Sequence, residues 1–349
     1  MLPVSMLTAT RFAMPFGHTP PGPIMTIRTR AVRILCSIAA FIVAAIALHA
    51  VGLAQRAPAP PAWAYGVQPP GAPAAPGPGG GGVFAQADTS PKKIPGSDQS
   101  FTLAQLADSF NIADWFPGDH PTPPAMVMKG KAPDVRACAR CHYPNGKGRP
   151  ENAGISGLPV AYVVQQMTDF RAGLRRSAEA RKTNTNFMTT YAKAMTDDEI
   201  KTTAEYFASM PWTSWIRVVE SATVPKTRLA GGMFTPLDGT DTEPLGARII
   251  EMPEHADRTE LRDPRSGFVA YVPTGSIKKG EALVTTGGGK TVACTICHGA
   301  NLDGMGPVPG LAGRSPSYQA RQLFDMQAGT RKGLWAELMK PVVANLTEI

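Results

Sequence analysis

Cysteine and histidine are scarce in this chain: five and six among 349 residues. Cys36 stands alone, and the other four cysteines form two pairs, Cys138/Cys141 and Cys294/Cys297. A zinc site would need two more ligands beside each pair, and neither pair has them. Charge is also sparse, at 18% of residues, and residues 1–54 contain no acid. The formal charge of +8 falls to 31 − 27 = +4 once the four arginines of that segment are set aside. No basic-aromatic array is present, which argues against nucleic acid as a partner.

What is abundant is localised. Arg28, Arg30 and Arg33 precede Ile34–Ala54, twenty-one residues without a charge. A basic stretch before an apolar core reads as an export signal. The core is also long enough to span a bilayer, so residues 1–54 are a cleaved signal or an N-terminal anchor through 34–54. Either one places the remainder in the periplasm or at the outer face of the inner membrane. Residues 55–100 form a linker whose 56–82 portion is almost all Ala, Pro and Gly, a composition that does not fold alone. Trp63 and Tyr65 interrupt it, as a docking spot or as packing groups.

The two pairs read Cys138-Ala-Arg-Cys141-His142 and Cys294-Thr-Ile-Cys297-His298. Cys-x-x-Cys-His is the haem-attachment signature. One helical turn holds two thiols on one face, where they add to neighbouring vinyl groups of a porphyrin. The next residue supplies an imidazole to the iron. A redox dithiol would not require the histidine. Two covalently bound haem c groups are expected, held by Cys138, Cys141, His142, Cys294, Cys297 and His298.

The motifs lie 156 residues apart, and the same offset pairs Gly157 with Gly313, Tyr162 with Tyr318, Gln166 with Gln322, Asp169 with Asp325, Gly173 with Gly329 and Arg175 with Arg331. The chain therefore repeats a haem-binding unit. The repeat also selects the sixth iron ligand. Met167 faces Leu323, Met305 faces Arg149 and Met326 faces Phe170. After a five-residue register shift Met188 meets Met339, while Met195 meets Leu346. A lone methionine is more often core filler. Recurrence at matched positions makes Met188 and Met339 the expected metal ligands, opposite His142 and His298. With both axial positions filled, no small-molecule substrate reaches the iron.

These residues resemble class I cytochrome c domains, in the two-domain, di-haem style of bacterial cytochromes c4 and c553. The resemblance rests on both CxxCH motifs, Pro307-Val-Pro309-Gly-Leu-Ala-Gly313, the Tyr-x-x-x-Gln helix leading to Gly-x-Arg, the methionines, and the Thr-(Asp/Glu) helix start. It covers roughly 101–213 and 276–349. It implies a mainly α fold, with cytochrome c domain 1 at 101–213 and cytochrome c domain 2 at 276–349, while strand-like runs between them mark 214–275 as a β-rich insert. It also implies that a proline carbonyl after CxxCH fixes the proximal imidazole. Pro309 fits in the second copy; the first has Ala153 at that offset and Pro150 three residues earlier. The last helix of the second copy is missing, which suggests a truncated sequence.

Helices are expected over Ser276–Val284 with a Ser cap, over Pro316–Gly329 after Ser315, and over Asp197–Met210 behind a Thr196–Glu199 capping box. Strand-like runs fall at Trp215–Val219, Ala247–Ile250 and Phe268–Val272. Tyr162, Tyr318, Arg175 and Arg331 are candidates to line the haem pockets or bond a propionate, the arginines alternatively being solvated charges. Arg171–Arg176 and Arg181-Lys182 make either a docking rim or a solvated face. His120 and His255 read as isolated surface histidines. The expected function is single-electron transfer between redox proteins, by a carrier that is not itself an enzyme. The alternatives are a cytochrome subunit of a dehydrogenase or oxidase complex and, third, a di-haem peroxidase.

Overall fold

The computed structural model describes residues 59–68, 71 and 88–347. The 34–54 segment, and with it the signal or anchor, lies outside the described residues. Among those described, no helix is long and apolar enough to cross a membrane.

The architecture is mainly helical. In chain order come α1 (Ala62–Tyr65), α2 (Leu103–Ala107), α3 (Ala125–Met128), α4 (Ala139–His142), α5 (Val160–Arg171), α6 (Thr183–Ala194) and α7 (Asp197–Ala208). Seven short strands follow: β1 (Ile216–Glu220), β2 (Thr223–Pro225), β3 (Thr227–Ala230), β4 (Met233–Pro236), β5 (Thr242–Pro244), β6 (Ile250–Pro253) and β7 (Phe268–Val272). The helix α8 (Ala256–Glu260) sits between the last two. The chain closes with α9 (Ser276–Thr286), α10 (Thr295–His298), α11 (Pro316–Gln327) and α12 (Ala336–Val343).

The 156-residue repeat is visible in the backbone. α4 matches α10 and α5 matches α11, end for end. Both middle helices stop at a glycine, Gly173 and Gly329, each with φ +69°. That left-handed geometry penalises any residue with a Cβ, which is why glycine recurs there.

Local chemistry fixes the helix ends. The Thr196 hydroxyl accepts from Glu199 N, and Glu199 reaches back to Thr196 N at 2.8 Å, a closed capping box. Ser315 caps α11 by accepting from Tyr318 N at 3.1 Å. Ser276 differs from expectation: it is the first helical residue, and Gly275 at φ +86° is the cap. The apolar face of α7 buries Ile200, Ala204 and Phe207. Phe207 and Met210 join Val127 and Ala139 in the core beside the first motif.

The strands form three small sheets. One has the order β1-β7-β6, with β1 parallel to β7 and β6 antiparallel to it. The others are two-stranded, β2-β5 and β3-β4. The expected strands near 215–219 and 268–272 are present, the third falls at Ile250–Pro253, and the two-stranded ribbons were not foreseen.

The aromatics at 63 and 65 pack. Tyr65 is fully buried, and its hydroxyl donates to Asp325 at 2.7 Å. Arg321 donates to Ala64 O, and Trp63 packs beside Val224 and Ile250. Two parts of the 55–100 stretch are therefore built into the body, where Tyr65 and Ile94 are buried and Trp63 is half-buried.

Candidate haem sites

Each motif occupies one short helix. In α4 the bond from His142 N to Cys138 O (3.0 Å) closes the turn; in α10, His298 N to Cys294 O (2.9 Å) does the same. All four thiols are free. Burial pushes the Cys138 thiol up to about 12, and it raises Cys141 as well. Both are half-buried, whereas Cys297 is exposed.

The histidines are oriented identically. His142 Nδ1–H donates to Ala153 O, and His298 Nδ1–H donates to Pro309 O, both at 2.8 Å. Each bond fixes the tautomer and leaves Nε2 as the lone-pair donor. Burial, aided by the nearby Arg175 charge, holds His142 below its ordinary range, so the ring is neutral at pH 7. The choice between Ala153 and Pro150 is thus resolved for Ala153: the bond uses a backbone carbonyl, which any residue supplies.

In the first copy Cys138, Cys141, His142 and Met188 line one cleft of about 1370 Å³, part of it continuous with solvent. Its walls are largely apolar and include Leu158, Phe170, Ile200 and Phe207. Two thiols and an imidazole on one side, a thioether in the wall and a greasy lining fit a covalently held porphyrin. Met167 and Met195 also line the cleft, but at 9% and 6% exposure they belong to the packed core. In the second copy His298 is buried and Met339 sits half-buried on α12. That helix is tied back beside the motif: Thr291 Oγ1 donates to Val342 O at 2.6 Å, and Gln327 Nε2 donates to Val343 O at 2.9 Å.

The recurring Tyr, Gln and Arg residues meet one another across the two copies. Arg175 donates to Tyr318 Oη (2.9 Å), and Arg331 donates to Tyr162 Oη (2.9 Å). Gln166 Oε1 accepts from Arg175 and Arg331 at 2.8 and 2.9 Å, and Gln322 Oε1 accepts from the same pair at 3.1 and 3.0 Å. Neither arginine is a solvated charge, since both are over nine-tenths buried. Tyr162, Tyr318 and Arg175 do reach the cleft wall.

The basic rim does not assemble. Arg171 ties Ala192 O, Met195 O and Asp197 together, and Arg181 pairs with Glu179. Lys182 is buried and pulled down to about 7 by that burial. His255 is exposed, whereas His120 is paired with Asp114 at 3.1 Å and raised by it against the opposing effect of burial.

The sequence also hid Arg262. It reaches from the insert to α4, donating to Arg140 O (2.6 Å) and Ala139 O (3.2 Å). Nothing in its local pattern marks it.

This is the site of a c-type haem protein. The cytochrome c family model matches residues 127–211. The chain is 25% identical over 220 residues, 62% of its length and 74% of the relative's, to the thiosulfate dehydrogenase electron acceptor of Thiomonas intermedia (strain K12). It is 34% identical over 97 residues to cytochrome c4 of Azotobacter vinelandii, a stretch covering 24% of this chain and 45% of that one. Among solved structures, thiosulfate dehydrogenase (TsdBA) from Marichromatium purpuratum aligns at a TM-score of 0.39 and 22% identity, over 64% of this chain and 36% of that one. Reduced cytochrome c4 from Pseudomonas stutzeri aligns at 0.38 and 22%, over 60% and 86%. Residues 127–211 belong to the cytochrome c family, and the chain is homologous to cytochrome c4 and to a thiosulfate dehydrogenase cytochrome. A cytochrome c domain implies covalent haem c, and the relatives support a part in electron transfer.

One expectation is overturned. A carrier with no enzymatic role does not accord with kinship to the electron acceptor of a thiosulfate dehydrogenase, since that dehydrogenase is an enzyme.

Proposed function

We propose that the chain is a two-domain, di-haem electron-transfer subunit, accepting single electrons from a dehydrogenase in the periplasm and passing them to a further redox protein. The observation that carries this reading is the convergence of Cys138, Cys141, His142 and Met188 on one cleft, with the imidazole bond repeated at His298. Haem supplies one-electron iron chemistry when bound. The chain's residues do the rest. Four cysteines would tether two porphyrins, His142 and His298 would offer Nε2 to the irons, and Met188 and Met339 would offer thioether sulfur. The apolar walls exclude water, so charge on the iron reorganises little solvent. A thioether ligand favours the ferrous state and raises the potential.

The choice of a dehydrogenase as donor is supported by the thiosulfate dehydrogenase electron acceptor among the relatives. Mixed with a thiosulfate dehydrogenase and thiosulfate, the ferric holoprotein should gain two electrons per chain. No reduction with that enzyme, while a chemical donor reduces both irons, would remove thiosulfate oxidation as the source.

The ligand assignment has its own test. Wild-type ferrous protein should not bind carbon monoxide, and Met188→Ala should bind one equivalent. An unchanged spectrum in that variant would show that Met188 is not a ligand.

A further inference from the structure

The two attachment helices sit in different electrostatic surroundings. At matched repeat positions the first copy has Arg136, Arg140, Lys147 and Arg149 where the second has Val292, Ile296, Asp303 and Met305. Only Asp134 against Lys290 and Glu151 against Pro307 run the other way. Val292, Ile296 and Met305 are all more than half exposed.

The insert adds a cation to the first copy. Arg262 lies at φ +62°, a left-handed backbone that costs a non-glycine residue about 1 kcal/mol or more. Its amide donates to Thr259 O at 3.0 Å, holding that geometry. The guanidinium bonds the Ala139 and Arg140 carbonyls and stacks 5.2 Å above the Tyr143 ring, next to His142. Arg140 beside it donates to Leu106 O at 3.0 Å. Arg149 pairs with Glu151 at 2.6 Å, and Asp263 is engaged by Arg258 at 2.6 Å. Around α4, Arg140, Arg149 and Arg262 therefore face one carboxylate, Glu151. Burial and the Arg140 and Arg149 charges pull Arg262 down to about 10, so it remains a cation at neutral pH. Among the described residues no side chain donates to the Thr295 or Ile296 carbonyls of α10.

The structure assigns Arg262, with Arg140 and Arg149, as the group of positioning residues that makes the first haem site the more oxidising of the two. Reduction removes one positive charge from an iron, so fixed cations nearby favour the reduced state, more strongly where solvent is excluded. The second site lacks these cations. With haem at both motifs, one electron would pass from the second site, which would be oxidised, to the first, which would be reduced, with no bond or proton exchanged. The insert thus gives the molecule a direction, with electrons settling at Cys138/Cys141 and not at Cys294/Cys297. This rests on both motifs carrying haem.

The test is potentiometric titration of the full holoprotein after the mass has shown two haems. Two one-electron steps are expected. Arg262→Gln should lower the higher step by about tenfold in its equilibrium, about 59 mV for a one-electron couple, and leave the lower step in place. Arg262→Lys, which keeps the charge, should retain the wild-type value. Ile296→Arg, at an exposed position that folding tolerates, should raise the lower step and narrow the gap. A single unresolved step, a shift of the lower step by Arg262→Gln, equal effects of Gln and Lys, or an unchanged gap in Ile296→Arg each overturns the assignment. Fewer than two haems by mass would overturn the di-haem reading as well.

Discussion

Glu251 is 2% exposed on β6, yet it holds the start of a helix from another part of the chain. Its carboxylate accepts from Ser315 Oγ (2.6 Å), Ser317 Oγ (2.8 Å) and Ser317 N (3.1 Å), at the positive end of α11. Burial nonetheless outweighs those bonds and raises the group above its ordinary 4.5. Folding then binds the proton more tightly than the unfolded chain does. The stability this contributes is fully present below pH 4.5 and is lost as pH rises through the raised value. Glu251→Gln keeps an acceptor for Ser317 N and removes the titration. The variant should show a flatter stability curve between pH 5 and 8, with its gain over wild type largest at pH 8. Denaturant titrations across that range check this, and parallel curves for the two proteins would refute it. The companion case at this scale is His142. Its bond to Ala153 O could not be read from the side chain at 153, because the acceptor is main chain, and the matching proline in the second copy is incidental to it.

At the scale of elements, legibility followed local chemistry. The Thr196–Glu199 box and the Ser315 cap are short-range hydrogen bonds written in adjacent residues, so α7 and α11 could be placed within two residues of their ends. The motif helices α4 and α10 were fixed by the spacing of their cysteines. The strands were harder, since a three-residue strand such as Thr223–Pro225 carries too little alternation to be seen. Its partner Thr242–Pro244 lies seventeen residues on. The basic cluster failed for a similar reason: charge in sequence says nothing of where a helix end will turn it, and Arg175 and Lys182 turn inward. Arg262 is the extreme example, because its role depends on α8 ending beside α4 across more than a hundred residues of chain.

For the molecule as a whole, the repeat was legible but its purpose was not. The residues that recur at 156 positions are those through which the two copies touch. Arg175 and Arg331 are paired main chain to main chain, with Arg176 N to Thr330 O and Lys332 N to Leu174 O both at 2.9 Å. Their guanidiniums share both glutamine oxygens, and each reaches the other copy's tyrosine. Two like charges held this close need counter-charge. Asp325 accepts from Ala178 N of the first copy at 2.8 Å, and the Asp169 carboxylate lies where a side chain at Gly333 would stand. Removing either arginine leaves a half-buried tyrosine oxygen short of its donor, at about 1–3 kcal/mol. The same removal also relieves repulsion on the surviving arginine and frees a lone pair on each glutamine for it. The two losses should therefore not add. In a double-mutant cycle of Arg175→Met and Arg331→Met, followed by denaturant unfolding of the holoprotein, the coupling should be about 0.5–3 kcal/mol. Additive losses would mean two half-interfaces that act independently, and the shared glutamines would then carry no energetic link between the haem-binding copies.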